Sequence, residues 1–291
     1  MTSEVIVFAI RGDMIAAVAR TDSRSRLNST SGGQVGVRLR EWRAARGLSQ
    51  LGLALEVGVS ARHLSYVESG KAQPSREMIA RLADTLAMPL RERNVLLVAA
   101  GYAPQYSESA LETPSLARVR NAIELILKHQ EPYPAFAMNR YWDVLLMNPA
   151  AMRFAHYLRG GSAHTNMVRQ FFDPNDLRAS VVNWEEIARD LMRHVQDEAT
   201  ANPSDARAQA LLEEMLRYPG VPARWQIREL GAAPPPLLTA VFRKDDLELR
   251  FFSTITTFGT PRDVTLDELR IECTFPADDV TDQVCRSLAK N

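Results

Sequence analysis

The twenty residues from Gln50 to Ser69 limit the folds open to this chain more than any other stretch. Ala54 stands where two helices would cross closely and a larger side chain would hold them apart. Four residues on, Gly58 falls where the chain must turn, and glycine takes positive φ without steric cost. Leu53, Val57, Val59, Leu64 and Val67 are the apolar positions that pack one helix on the other. This spacing defines a helix-turn-helix, the unit that lays its second helix in the DNA major groove. The competing reading is an αα-hairpin in an ordinary core.

The flanks extend the pattern into a bundle. Val35, Leu39 and Trp42 recur at i, i+4 and i+7, so a preceding helix carries one apolar stripe. Gly47 ends it. Ser49 and Ser60 can cap the two helices of the motif by accepting from free backbone N–H groups. Gly70 closes the second in left-handed geometry. Pro74-Ser75 starts a fourth helix with the stripe Ile79, Leu82, Ala83 and Leu86, and Pro89 opens a fifth that ends at Gly101. Residues 34–104 are thus expected to form a five-helix DNA-binding domain. Net charge over the chain is zero, yet residues 34–104 hold ten Arg/Lys against six Asp/Glu, while residues 105–291 hold 21 against 26. A basic head on an acidic body suits phosphate attraction confined to one domain.

The recognition helix begins at Ser60, and its early residues point into the groove. Arg62 is the candidate for base readout, because guanidinium can donate two bonds to guanine O6 and N7. Ala61 is small enough to touch a thymine methyl. Ser65 and Tyr66 follow on the exposed side, within reach of base edges or sugar, and His63 lies toward the backbone. Gln50 is expected to bind phosphate at the start of the motif's first helix. Lys71 and Arg76 are further phosphate candidates. A single module binds weakly, so a homodimer on a two-fold double-stranded operator is expected.

Outside the bundle the chain changes character. Residues 1–33 contain polar tracts such as Asn28-Ser29-Thr30-Ser31-Gly32-Gly33 and read as a flexible arm. Residues 105–114 read as a polar linker, and residues 115–291 as a second domain. After one helix through Ile123 and Leu127, Pro132-Tyr133-Pro134 breaks the chain. Ala135–Met138 and Trp142–Met147 read as short strands, and Asn148-Pro149 as a capped helix start. Helices follow to about Arg217. Leu237–Lys244 and Leu247–Phe258 are the best strands, joined by a hairpin at Asp245-Asp246, and Arg270–Phe275 is a fifth. Two strands, then helices, then three antiparallel strands is the element order of a PAS-like sensor domain. The whole is α+β in two domains: a five-helix bundle, then an antiparallel sheet covered by helices.

No apolar run approaches the roughly 18 residues that span a bilayer, and Val5–Val18 lacks a basic lead and is interrupted by Arg11 and Asp13. Neither a signal peptide nor a membrane partner is expected, which leaves the cytoplasm. Cys273 and Cys285 form no disulfide framework or metal quartet, and both fit packed structure. There is no nucleophile elbow or phosphate loop, and the five histidines are scattered. No catalytic residue, cofactor or metal is therefore expected.

The segment Val57–Lys71, followed by Pro74-Ser75-Arg76-Glu77-Met78, resembles an XRE-type (Cro/C1-type) helix-turn-helix. The stretches Pro89–Asn94 and Ala99–Pro104 resemble the MmyB-like transcription regulators. So do Glu131–Pro134, Asn183-Trp184-Glu185, Pro219–Pro222, Phe251–Pro261 and Phe275–Asp278. The resemblance covers about residues 35–289. It implies a bacterial regulator with a carboxy-terminal PAS-like domain that senses a small, partly apolar, fatty-acid-like molecule. In such a domain the pocket lies between the concave sheet face and the covering helices. Phe252, Thr254 and Phe258 share a strand face of mixed apolar and hydroxyl character suited to a ligand. Arg178 can pair an acidic headgroup bidentately. Trp184 can wall the pocket or anchor a helix. An antitoxin-like role, with the second domain binding a protein partner, is the alternative.

Overall fold

The computed structural model describes residues 6–7, 31–160, 163–201, 205–226 and 237–290. Most of the expected arm at residues 1–33 lies outside the described residues. Of it, Ile6–Val7 forms strand β1, and residues 31–33 belong to the first helix, which therefore starts before the expected boundary at residue 34.

Five helices build the amino-terminal bundle: α1 (Ser31–Ala45), α2 (Gln50–Val57), α3 (Ala61–Glu68), α4 (Arg76–Thr85) and α5 (Leu90–Ala99). Their starts obey local chemistry. Ser49, Ser60 and Ser75 accept from the backbone N–H of Gly52, His63 and Met78 respectively. Gly58 ends α2 at φ 72°, where a side chain would strain the turn into α3. Leu39, Leu53, Leu64, Ile79, Leu82 and Leu96 close one core, each at most 1% exposed.

Gly36 lets α1 lie directly on α3. A Cβ there would meet the Glu68 carbonyl oxygen at 2.3 Å and its carbon at 2.6 Å. Glu68, fully buried at the end of α3, fastens the same junction. Its carboxylate accepts from Arg43 Nε at 2.7 Å and Nη2 at 3.0 Å, and from Gln50 Nε2 at 2.7 Å. One acid thus ties α1, α2 and α3 together.

The segment expected as a linker is bonded on both sides. Asn94 of α5 holds it through the Gln105 and Tyr106 N–H groups and the Tyr106 carbonyl. Ser107 bridges to Asp263, and Leu111 is buried in the second domain's core.

The second domain opens with α6 (Ala117–His129). β2 (Ala135–Met138) and β3 (Val144–Met147) follow. Next come α7 (Pro149–Arg159), α8 (Met167–Phe172), α9 (Trp184–Ala201) and α10 (Ala206–Arg217). The chain then runs through β4 (Ala240–Lys244), β5 (Leu247–Thr256), α11 (Val264–Asp267), β6 (Arg270–Pro276) and α12 (Asp279–Leu288). Among the described residues, six strands pair antiparallel in the order β1-β3-β2-β6-β5-β4. Asp245 takes φ 54° in the tight β4–β5 turn.

Three strands are shorter than the sequence reading. β3 starts at Val144 because Trp142 sits at φ 66° in a turn held by Asn139. β4 starts at Ala240, and β5 stops at Thr256, short of Phe258.

Both faces of the sheet are covered. Ala135, Ala137, Ile271 and Cys273 pack with Ile123 and Leu127 of α6. The opposite face looks toward α7, α8 and α9. Asn148, fully buried, joins the layers: its Oδ1 accepts from the N–H of Ala135 and Ala151, and its Nδ2 donates to the carbonyls of Leu127 and Tyr133.

Gly36→Ala is expected to lower the unfolding free energy by about 1–3 kcal/mol, because the added methyl meets backbone that cannot step aside. Urea denaturation of the full chain measures this; unchanged stability would mean that α1 does not dock on α3 as described.

Candidate functional site

The recognition helix α3 stands at the surface of the bundle. Arg62 is exposed and donates from Nε and Nη2 to the Tyr66 hydroxyl at 3.1 and 3.0 Å. Its guanidinium lies 5.4 Å from the Tyr66 ring centroid, and Lys71 Nζ lies 6.0 Å from the same ring. Two cations thus flank one exposed phenol, a grouping suited to phosphate, sugar and base edges. Ser60 is occupied as the helix cap, and Ala61 packs partly into the bundle core. Ser65 is half-buried one turn after Ala61. Arg76 is exposed, bonds the Ala103 carbonyl at 3.3 Å and stacks over Tyr102. Gln50 is placed differently from the sequence expectation. Its amide nitrogen donates to buried Glu68, so it orients α2 against α3.

A chamber of about 1010 Å³ lies between the sheet and the helices of the second domain. Its floor is the inner face of three strands. Phe136 of β2, Glu272 of β6 and Ile255 of β5 sit side by side in register, and Thr274 and Ser253 form the next row. Its roof comes from α7, α8 and α9, with Ile187, Asp190, Leu191 and His194 presented at helical spacing along α9. Trp142 forms one wall, its ring edge-on to His194 at 6.1 Å. Phe154, Phe242 and Phe251 close the far side in an edge-to-face cluster.

The alternation in β5 was legible, but the other face meets the chamber. Phe251, Ser253 and Ile255 line it. Thr254 lies opposite Cys273 on the α6 side, and Phe258 packs in the α6 core. Phe252 borders the chamber, with its ring stacked on Phe275 at 5.5 Å. Alternation separates two faces without saying which one the α7–α9 layer covers.

Arg178 and Trp184 lie outside the lining. Arg178 donates to the Phe172 and Pro219 carbonyls at 3.1 and 2.6 Å and stacks 3.6 Å from the Trp184 ring centroid. Trp184 Nε1 donates to the Phe171 carbonyl, and its ring stacks on Trp225. Together they lock the loops behind α8. What sequence reasoning missed was Phe136, Trp142, His194 and Glu272. The one available signal was the alternation of β2 and β6, in which Phe136 and Glu272 take the phase opposite to Ala135 and Cys273.

Glu272 is the unusual wall residue. Burial pushes its carboxyl above the usual range, against the opposing pulls of the Ser253 hydroxyl bond and of His194. The other charged lining groups have partners: Asp190 with Arg193 and His194, and Arg153 with Glu131.

A charged junction joins the chamber to the bundle. One turn beyond His194, Glu198 accepts from Arg140 at 2.8 Å and from Arg270 at 3.0 Å. Buried Arg140 also meets Asp205 at 2.9 Å and Glu268 at 3.1 Å. Glu268 in turn binds Arg91 of α5 at 2.7 Å, and Arg91 reaches Glu108 as well. The Glu268 bond leads the forces that hold the Arg91 guanidinium firmly protonated. Asp267 accepts from the Leu90 N–H at 2.9 Å, capping α5, which has no side-chain cap of its own.

A helical head with an exposed recognition helix, joined to a domain built around a deep chamber, is the form of a DNA-binding regulator with its own ligand domain. The chain belongs to the MmyB-like transcription regulators: the model of the MmyB-like transcription regulator ligand binding domain matches residues 119–288, more than half its length. A helix-turn-helix domain model matches residues 34–96. No curated protein matches the chain. Among solved structures it is similar to the clp gene regulator ClgR from Corynebacterium glutamicum, at 22% identity over 35% of this chain and 95% of that one, with a TM-score of 0.22. The families indicate a transcription regulator rather than an enzyme. Among the described residues, no helix is long and apolar enough to cross a membrane.

A carboxyl whose folded pKa is raised contributes stability that is present below its unfolded pKa and lost as pH rises through the folded value. Glu272→Gln is therefore expected to gain stability relative to wild type as pH climbs above the ordinary carboxylate range. Parallel thermal melts across pH check the sign; a difference that is flat with pH would contradict the burial of this group.

Proposed function

We propose that this protein reads a specific operator as a homodimer in the cytoplasm, and that a small, largely apolar molecule with a fatty-acid-like chain occupies its chamber. The observation that carries the ligand half is the chamber itself. Protein interiors are close-packed, with few voids larger than a water molecule. A largely apolar space of about 1010 Å³ matches the upper end of ligand cavities. The PAS-like element order, two strands and then helices and then three strands, supports the same reading. An interior space suits a small molecule better than the protein partner of an antitoxin-like role.

The DNA half rests on α3. Arg62, Tyr66 and Lys71 form an exposed cationic and aromatic group, with Arg76 as a further phosphate contact and Ser60, Ala61 and Ser65 fixing how the helix sits in the groove. Gln50 acts through Glu68, as a residue that orients the helix pair.

Coupling between the halves has a physical route. A ligand shifts an equilibrium only through different interactions with two states. Helix α9 touches the chamber through Leu191 and His194 and the junction through Glu198, so a shift of α9 alters the Arg140–Glu268–Arg91 chain that docks the bundle.

Arg62→Ala is expected to weaken specific operator binding by about 1–3 kcal/mol and relax preference at one base pair. Equal loss on specific and random DNA in a gel-shift series would make Arg62 a phosphate contact. For the chamber, mass spectrometry of molecules released from denatured purified protein is expected to find a largely apolar compound. Adding it back at about 100 times its Kd is expected to stabilise the fold by about 2.7 kcal/mol. If stripped and saturated protein bind the operator equally at matched salt, the coupling is absent.

A further inference from the structure

Glu272 stands in the middle of the chamber floor, between Phe136 and Ile255 on the neighbouring strands. The Ser253 hydroxyl on the neighbouring strand also lines the floor and favours its charged form, and a carboxylate has acceptor capacity for more than one donor. Buried carboxylates in apolar surroundings are costly unless a cation meets them. Two arginines of this region are already matched. Arg270, two residues before Glu272 on the same strand face, pairs with Glu198. Arg153 pairs with Glu131, and His194, which meets Asp190 through Nδ1, acts on Glu272 only as one weak opposing pull. The surrounding wall is partly aromatic, and one of its rings, Trp142, already meets a positive group, the Arg270 guanidinium 5.8 Å from its centroid.

We propose that the chamber takes a lipophilic amine, whose protonated nitrogen meets the Glu272 carboxylate while its apolar body fills the space walled by Phe136, Trp142 and Ile255. The proposal rests on the reading of the chamber as the ligand site and names the head of that ligand. A carboxylate head beside Glu272 would set two acids together in an apolar space, where like charges repel strongly. The rival pole is Arg153 on α7, whose Nε has no hydrogen-bond partner. An anionic head would seat there, at the opposite charge.

The test compares three ligands of one chain length, decylamine, decanol and decanoate, each below its micellar concentration. Full-length protein stripped of bound molecules is titrated by calorimetry near neutral pH. Decylamine is expected to bind about tenfold or more tighter than decanol, the gain of one charge-assisted contact. Glu272→Gln is expected to remove that advantage and leave decanol binding unchanged. Decanoate binding as tightly as decylamine, or an amine advantage that survives Glu272→Gln, would overturn the proposal while leaving the chamber as a ligand site. Binding of none of the three would overturn both. The wild-type ranking decides the matter even if the variant does not fold.

Discussion

A buried guanidinium, that of Arg140, sits where every layer of this protein meets. A charge taken out of water must be paired, and stripping away a partner costs several kcal/mol. Burial works against the Arg140 charge, but carboxylates from Glu198, Glu268 and Asp205 hold its pKa above the ordinary arginine value. Those acids come from α9, from the end of α11 and from the cap of α10. One side chain after β2 therefore fixes the roof of the chamber and the short helix that receives the DNA-binding bundle. The bundle's own attachment, Arg91 on Glu268 and Asp267 on the Leu90 N–H, is built on acids that Arg140 holds in place.

That arrangement explains how a hollow domain keeps its form. The floor is a sheet packed from below by α6, and two roof helices are fixed at their ends, α9 through Glu198 and α7 through Asn148, while α10, packed on α9, is held by its Asp205 cap. Behind α8, the Arg178–Trp184–Trp225 stack closes the remaining seam. Trp142 is held at positive φ, a conformation costly for a bulky residue, and its ring forms a wall beside His194. Packing is placed at the rim and anchors, which leaves the centre free.

The bundle was legible because its determinants are local. Capping serines, the turn glycine and the i, i+3, i+4 stripes act within a few residues, so Ser49, Ser60, Gly58 and Leu64 stand where their spacing put them. The chamber was less so. Thr254 and Phe258 were assigned to the ligand face because alternation gives two equal choices. The packing of Ala135, Ala137 and Cys273 against α6 selects the other one. Arg178 is able by its chemistry to pair an acidic headgroup, but its Nη1 donates to carbonyls of two distant segments and its plane stacks on Trp184, away from the chamber. Gln50 read as a phosphate contact, but Glu68, eighteen residues on, takes its amide.

By itself the sequence determined the elements: where helices start and stop, which strands alternate, and that a basic helical head precedes a sheet-bearing body. These follow from short-range sterics, capping and periodicity, which a linear chain displays openly. Tertiary structure alone decided which sheet face is hollow, that Glu272 stands at its centre, and that Arg140 and Arg91 share the acid Glu268. Such pairings depend on residues up to 177 positions apart meeting in a low-dielectric interior, where charge and volume are settled by all the neighbours at once.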